Sequence, residues 1–386
     1  MKKIVIIGGG PSGLLLAILI KKTQPNIQVT VYEQNPADAT FGFGVVMADT
    51  GLSQLRQTAP DICEDLAAAM RFNDRQIIVT QDTPVTVQRP SQGGAIPRIT
   101  LLNILSRHAR ELDINLHYGQ RLSDLTGLDV DLIVGADGVN SWLRDSAPED
   151  FDVERYTLSN HFAWYGVAKA FEHPSLVFRK YGKGYFVAHY YPYADAMSTF
   201  VAECDHETWQ HLDMERMDAQ ERTALFEQVF SPELDGHKLV SNHSSWRQFP
   251  VIRARKWYAG NHVLIGDALN SAHFSIGSGT RIAMEDAIAL SNALNSHPTD
   301  VSQALANFER HRRPQKQKLI TASEASFKWY EDIRLWMDRY SPQEFVYRFM
   351  TRTGRVNLQR LREQYPALIR DFELAGLISD SNEIVS

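Results

Sequence analysis

Cysteine is almost missing from this chain: Cys63 and Cys204 are the only two, far apart and in no C-x-x-C arrangement. That excludes a disulfide framework or a thiolate zinc site and suits a reducing compartment. A basic excess is missing too. With 40 Lys and Arg against 46 Asp and Glu, the net charge is -6, the wrong sign for a nucleic-acid partner. No apolar run near the N-terminus exceeds residues 14–20, far short of the roughly 20 residues that span a bilayer. That run follows Met1-Lys2-Lys3 and imitates a secretory signal. However, Gly8-Gly9-Gly10-Pro11-Ser12-Gly13 interrupts it and no small-residue cleavage site follows, so a cytoplasmic protein without a membrane partner is expected. Internal repeats, low-complexity tracts, a Walker A sequence and a G-x-S-x-G elbow are also absent.

What remains is an ordinary globular composition, 44% hydrophobic and 22% charged over 386 residues, enough for two or three domains. Residues 3–7 are β-branched and apolar, the mark of a strand buried on both faces. A glycine cluster, a helix over 13–22 and a second strand over 28–32 complete a βαβ unit. Residues 40–47 read as a loop, 51–70 as a helix, 76–87 as strands and 99–112 as an amphipathic helix. A short buried strand over 132–134 runs into Gly135-Ala136-Asp137-Gly138, and another over 263–265 runs into Gly266-Asp267-Ala268. Between them, 161–203 is rich in Tyr, Phe, Val and Trp with turn residues, which predicts antiparallel hairpins. Helices are expected over 282–294 and 301–313, and helical, charge-mixed structure from 316 onward.

Gly8-x-Gly10-x-x-Gly13 lies between a strand and a helix, where a dinucleotide fingerprint must lie to work. The first glycine permits a tight turn, the second lets backbone approach a pyrophosphate, and the third lets helix pack on strand. Glu33 stands 20 residues beyond Gly13, at the end of the second strand, where a carboxylate accepts from a ribose 2′-OH. Alone, Asp137 or Asp267 would more often be an N-cap.

Together, in this order and spacing, the three segments resemble the flavoprotein aromatic hydroxylases of the p-hydroxybenzoate hydroxylase type. The resemblance runs to about residue 315, where Phe308-Glu309-Arg310-His311-Arg312-Arg313-Pro314 is similar to the family's Y-E-x-x-R-R-P. It implies an α/β fold: a Rossmann-like FAD-binding domain from residues 1–72, 97–155 and 260–320, an inserted antiparallel-sheet substrate domain from 73–96 and 156–259, and a C-terminal helical region over 321–386. It implies FAD contacts from Gly8, Gly10, Pro11, Ser12 and Gly13, from Glu33 and Gln34, and from Gly44 and Val45. Arg98 looks like the arginine that reaches the FAD phosphates, its bland alternative being a solvated helix start. Asp137 and Gly138 would support the pyrophosphate, Gly266 and Asp267 the ribityl chain, and Gly277, Ser278, Gly279 and Thr280 the flavin's N1–C2=O edge. Where the family carries a proline-rich turn, this chain has Ala272-His273-Phe274-Ser275, leaving His273 or Phe274 nearest the reactive face.

A finer resemblance rests on residues 41–46, 176–179, 196–204 and 273–277. These are similar to a subgroup containing the violacein-pathway indole hydroxylase and the salicylyl-CoA and anthraniloyl-CoA hydroxylases. The implied reaction is hydroxylation of an electron-rich aromatic ring, using NADH or NADPH as a transient reductant and O2, through a flavin C4a-hydroperoxide. A small aromatic substrate is expected, either a CoA thioester or an amino-acid-derived indole. Trp164, Tyr165, Tyr185, His189, Tyr191 and Tyr193 are the expected pocket wall. Tyr165, His189 and His273 are the catalytic candidates, the histidines as proton acceptors. A strand histidine among aromatics is as readily a hydrogen-bonded core residue. The absence of a second G-x-G-x-x-G argues against a permanent nicotinamide domain. His206 and His211 cannot share a metal on one helix, since i and i+5 stand about 140° apart. Other readings of the same scaffold are an oxidase, a reductase, a halogenase (though no W-x-W-x-I-P occurs) and a non-catalytic FAD-binding module.

Overall fold

A computed structural model describes residues 1–39, 42–242 and 244–378. Its first sheet grows from the strand Lys3–Ile7, whose apolar residues are covered on both faces. Gln28–Glu33 pairs with it in parallel on one side and Leu132–Gly135 on the other. Asn115–Tyr118 extends the first side. His262–Leu264 and then the antiparallel Tyr258–Ala259 extend the second, giving six strands among the described residues. The helix Pro11–Thr23 packs against this sheet and against the helices Arg98–Glu111 and Gly279–Ser296, so residues 14–20 are buried throughout. That enclosure is why the run is apolar all round. Among the described residues no helix is long and apolar enough to cross a membrane.

The second sheet has nine strands among the described residues. Across it lie Leu239–Ser241, Val153–Val167, Met197–Cys204, Gly184–Ala194, Ser175–Tyr181, Arg71–Thr80, Thr83–Pro97 and Gly44–Ala48, with Arg247–Ala254 also paired to Val153–Val167. All pairs are antiparallel except Ser175–Tyr181 with Arg71–Thr80. One face, carrying Tyr165, Phe186 and Phe200, packs on the helices His206–His211 and Ala219–Val229. The opposite face is shared. Phe178, Tyr185 and Val187 pack under C-terminal helices through Tyr330, Phe345 and Phe372, while Trp164, His189 and Tyr191 line a cavity beside the first sheet. The fold class is that expected from the sequence.

Three local expectations are corrected. Residues 44–47 of the stretch 40–47 read as loop belong to an edge strand, Gly44–Ala48, because pairing with Thr83–Pro97 supplies backbone partners that composition does not advertise. The helix expected over 51–70 is two, Asp49–Thr58 and Pro60–Ala68, since Pro60 has no N–H to continue the first and starts the second. The helix expected to end at Arg313 runs on as Val301–Glu331 with Pro314 inside it. Pro314 lies on the exposed side, where water can take up the carbonyl that its missing N–H leaves free. Phe41, which opens one of the resemblance stretches, lies outside the described residues.

A buried ionic knot joins the long helices to the first sheet. Asp286, with no exposed surface, accepts from Arg312 Nε at 2.8 Å, from Lys316 Nζ at 2.5 Å and from the backbone N–H of Gly266 at 3.0 Å. Arg312 also pairs with Glu285 at 2.9 Å. Burial pulls the Lys316 pKa down and Asp286 pulls it back up. Breaking a buried pair by removing one partner costs about 3–5 kcal/mol, because a charge stays buried and unmatched. Asp286→Asn is therefore expected to lower the thermal midpoint sharply, with partial recovery when Lys316→Met is added. A midpoint within a degree or so of wild type would show that the knot carries no stability.

Candidate active site

The cavity has a volume of about 650 Å³ and lies where the strand ends of the first sheet meet the aromatic face of the second. At the first strand end, Gly8 has φ +111, and a Cβ on it would stand 2.3 Å from the carbonyl oxygen of Ala136. A Cβ on Gly13 would stand 2.0 Å from the carbonyl oxygen of Gly8. Only glycine lets the helix start close over the strand. Gly10, Pro11 and Ser12 then line the cavity, at a helix N-terminus with no side-chain cap and free first-turn N–H donors. Gly8 and Gly13 shape this turn from behind and do not line it. Glu33 also stands outside the lining. Its Oε2 accepts from Gly9 N at 2.8 Å and its Oε1 from Asn35 N and Nδ2 at 2.9 and 2.7 Å, so it braces the glycine turn. Gln34 is exposed and outside the lining.

Gly44 and Val45 line the cavity from the edge strand. Gly44 N donates to Thr199 Oγ1 and its carbonyl accepts from Tyr191 Oη, both at 2.9 Å. Arg98 faces the cavity from the start of its helix, and its guanidinium has no hydrogen-bond or ion-pair partner among the described residues. Burial lowers its pKa, opposed by the fields of Asp267 and Glu33. Asp267 opens to the cavity, and the protein enclosing it raises its pKa against the pull of Lys316 and Arg98.

Asp137 does not line the cavity. Its Oδ2 accepts from the N–H groups of Trp142 and Leu143, at 2.7 and 3.3 Å, so it caps the short helix Trp142–Ser146. Burial raises its pKa. Gly138, Val139 and Asn140 are the part of this segment that faces the cavity. Gly266 is likewise behind the surface, held by Asp286 with φ +63. Gly277, Ser278, Gly279 and Thr280 all line the cavity at the start of Gly279–Ser296. One residue with no role assigned from sequence joins the separate motifs. Arg144, fully buried, donates to the carbonyls of Val139 at 2.8 Å and Ala268 at 3.1 Å. A buried arginine inside the Asp137 segment was the available signal.

The aromatic wall is narrower than expected. Trp164, His189 and Tyr191 line the cavity, joined by Phe162 and Phe274. Phe274 packs on Phe162 at 4.7 Å and on Trp164 at 5.7 Å between ring centres. Tyr165 does not take part: strand alternation turns it to the other face, where its hydroxyl accepts from Trp246 Nε1 at 2.9 Å. Tyr185 lies beneath the C-terminal helices with its hydroxyl on Asp338, and Tyr193 is buried behind Gly44. His273 is buried outside the lining, bonded through Nδ1 to Ser275 Oγ at 2.8 Å, so of the two candidates in that loop Phe274 is the one facing the cavity. Burial, and then Arg352, lowers the His273 pKa to about 3. His189 has no hydrogen-bond partner among the described residues, and burial, then Arg89, lowers its pKa to about 4. It is a neutral imidazole at any physiological pH. Among the described residues no group of three or more His, Cys, Asp or Glu could hold a metal.

One end of the cavity thus offers an unmatched guanidinium and unpaired backbone donors, and the other offers aromatic rings around a neutral histidine. That pairing fits a nucleotide pyrophosphate running toward an enclosed reaction space, and with the Rossmann-like sheet it defines a flavin-dependent oxidoreductase. A family model described as "FAD binding domain" matches residues 117–323. The chain is 36% identical over 367 residues to the salicyloyl-CoA 5-hydroxylase of a Streptomyces species, covering 91% of this chain and 70% of that one. It is 32% identical over 361 residues to the protodeoxyviolaceinate monooxygenase of Chromobacterium violaceum, covering 91% and 94%. The solved fold of 2-methyl-3-hydroxypyridine-5-carboxylic acid oxygenase superposes with a TM-score of 0.71 at 20% identity, covering 89% of this chain and 98% of that one. The chain belongs to the FAD-dependent aromatic hydroxylases of the p-hydroxybenzoate hydroxylase type. It is an FAD-dependent monooxygenase, of a family that typically uses NAD(P)H and O2.

A buried carboxyl behind the aromatic wall makes the protein's stability depend on pH. Glu203, on the same strand face as Val201, accepts from Asn160 Nδ2 at 3.0 Å. Burial raises its pKa to about 8, Asn160 opposing and Glu331 adding. The unfolded carboxyl titrates near 4.5, so this contribution is complete below pH 4.5 and is lost as pH rises through about 8. Glu203→Gln should leave the thermal midpoint nearly unchanged at pH 5 and raise it by several degrees at pH 9. An equal shift at both pH values would rule out this titration.

Proposed function

We propose that the cavity holds FAD along its Gly10–Ser12, Arg98 and Gly277–Thr280 side and hydroxylates an activated aromatic ring placed against Trp164, Phe162, Phe274 and His189. One observation carries the reading: a single cavity has a cationic, donor-rich end and an aromatic end, and residues of all three separated glycine-containing segments (Gly10 to Ser12, Gly138 to Asn140, and Asp267) line the first. When bound, the flavin supplies the oxidising chemistry with O2 after reduction by NAD(P)H. The chain's own task is to grip the nucleotide, exclude water and orient the ring.

Arg98 would pair with the pyrophosphate, a charge-assisted contact that its unmatched guanidinium favours. The N–H donors before Leu14 and those at the start of Gly279–Ser296 would add fixed dipoles at the phosphates and at the ring's pyrimidine edge. Gly8, Gly13, Glu33, Asp137 and Gly266 would act from behind, by shaping the turns. Phe274, Phe162 and Trp164 would seat a flat ring and keep the space dry. His189, neutral, would accept a hydrogen bond from the OH, NH or amino donor that activates that ring. The named relatives act on a salicyloyl thioester and on protodeoxyviolaceinate, so a hydroxylated benzoyl or an indole-derived ring is the substrate class. NADH or NADPH would visit transiently, and its supply fits a cytoplasmic setting.

The test is direct. Purified protein should carry a flavin spectrum, and aromatic substrate should stimulate NAD(P)H oxidation with a product one oxygen heavier. Stoichiometric peroxide with unchanged substrate would reduce the protein to an oxidase. Arg98→Gln should weaken FAD binding roughly 10- to 100-fold in apoprotein titration, the value of one lost charge-assisted contact. His189→Phe should leave FAD affinity within about twofold and lower the fraction of NAD(P)H electrons recovered in product. Because His189 is already neutral, with its pKa near 4, the pH profile of wild-type coupling should show no step attributable to it between pH 6 and 8. An undiminished product fraction in the variant would remove His189 from the reaction.

A further inference from the structure

A side chain from the C-terminal helices grips the turn that carries Phe274. Arg352, partly buried, stands at the end of the helix Pro342–Thr351. Its Nη2 donates to the carbonyl of Ser275 at 3.0 Å, its Nε to Ser326 Oγ at 3.0 Å and its Nη1 to the carbonyl of Phe349 at 2.7 Å. Its guanidinium carbon lies 3.9 Å from the centre of the Phe349 ring. Burial lowers its pKa and Tyr330 opposes, with no carboxylate paired to it among the described residues. Ser275 is the middle of the turn Phe274–Ile276, and Phe274 before it and Gly277 after it both line the cavity. The turn is thus held at its centre, between two residues that face the reaction space.

The hydroxyls beside Arg352 form a chain with one allowed direction. Ser326 Oγ lies 2.8 Å from Ser275 Oγ, which lies 2.8 Å from His273 Nδ1. A guanidinium only donates, so Ser326 accepts from Arg352 and its own proton is left for Ser275. At the far end the backbone N–H of Ser275 meets His273 Nδ1 at 3.3 Å. An N–H also only donates, so Nδ1 carries no proton and takes that of Ser275 Oγ as well. Each hydroxyl then accepts once and donates once, and every proton points from Arg352 toward the imidazole. Burial and then Arg352 keep that imidazole neutral, with a pKa of about 3, so its one proton resides on Nε2. Ser326 has no exposed surface and His273 only 3%, which leaves little room for water to substitute for a missing link.

We propose that Arg352 is a positioning residue for the hydroxylation. It acts on the Ser275 carbonyl directly and on His273 through Ser326 and Ser275, and so fixes the turn that sets Phe274 against the substrate ring and Gly277 to Thr280 against the flavin. This rests on the reading that the cavity holds FAD beside an aromatic ring. Arg352 does not line the cavity, so it acts only through the turn. An arginine suits the task because its rigid fork reaches two carbonyls and a hydroxyl at once, which an ammonium on a flexible stem does less well. The C-terminal helices thereby become part of the active site.

Arg352→Met, Arg352→Lys, Ser326→Ala and the Arg352→Met/Ser326→Ala double variant are compared with wild type by two measurements. The first is the nitrogen spectrum of protein carrying ring-labelled histidine at neutral pH, with His273 assigned by its loss in His273→Gln. Wild type and Arg352→Lys should show a bare Nδ1 and a protonated Nε2, whereas Arg352→Met and Ser326→Ala should move the Nδ1 signal toward that of a freely exchanging ring. The second is the single-turnover rate of ring hydroxylation, counted per bound flavin. It should fall roughly 10- to 100-fold in Arg352→Met, the scale of an ångström's misplacement, and by a smaller factor in Ser326→Ala. Arg352→Lys should recover part of it, and the double variant should fall no further than Arg352→Met, since both residues act through one chain. A merely structural Arg352 would lower the thermal midpoint and the yield of bound flavin yet leave that rate as it is. That result, a protonated Nδ1 in wild type, or an Nδ1 signal unmoved in both Arg352→Met and Ser326→Ala would each overturn the assignment. Should Arg352→Met not fold, Ser326→Ala decides alone, because it leaves both carbonyl bonds of Arg352 in place. The nitrogen spectrum needs no flavin, so a protein that takes up no FAD yet shows the locked imidazole would refute the hydroxylase reading and leave the clamp standing.

Discussion

Asp286 is the point on which the site's geometry turns. It is a wholly buried carboxylate that receives a guanidinium and an ammonium from one turn of the helix Val301–Glu331 and a backbone N–H from Gly266, remote from both in the chain. The N–H belongs to Gly266, the residue just before Asp267, so the carboxylate sets where the strand His262–Leu264 stops and which way Asp267 faces. Lys316 also reaches the Gly266 carbonyl, at 3.4 Å, and its field bears on Asp267. A network of this kind is a poor source of net stability compared with apolar packing, but it allows only one arrangement of its members. Here that arrangement is the floor of the cavity.

Arg144 does for the middle segment what Asp286 does for the last. By donating to the carbonyls of Val139 and Ala268 it ties two chain segments 129 positions apart into one wall. The first segment needs no such clamp, because Gly8 and Gly13 are in backbone contact with Ala136 and with each other. Three stretches remote in sequence are thus locked by steric fit in one place and by buried charge in two. The locks lie behind the surface, which leaves the exposed donors and the unmatched Arg98 free for a ligand.

Opposite them, the second sheet divides its labour by strand parity. Along Val153–Val167, Phe162 and Trp164 face the cavity and Tyr165 faces the helical layer. Along Gly184–Ala194, Tyr185, His189 and Tyr191 share one face, yet only the last two reach the cavity, because the C-terminal helices cover Tyr185. Composition announced an aromatic wall without saying which aromatics belong to it. Parity could have set Tyr165 apart once Trp164 was placed, but nothing local marks where the C-terminal helices end their cover. The two histidines separate for a similar reason. His189 faces open space, while the turn at residues 274–276 buries His273 against Ser275 and Ser323.

By itself the amino-acid order determined whatever depends on short range: the strand–glycine–helix start, whose glycines are demanded by contacts under 2.5 Å, the buried strands, and the family to which three spaced motifs belong. It could not determine how backbone ends and side chains are shared between remote segments. That Glu33 spends its oxygens on the N–H groups of Gly9 and Asn35, that Asp137 spends only Oδ2, on Trp142 and Leu143, and that residues 44–48 become a strand were decided by tertiary packing. Hydrogen-bond partners and counter-charges are settled by distance in space, and the chain brings those groups close only when it is folded.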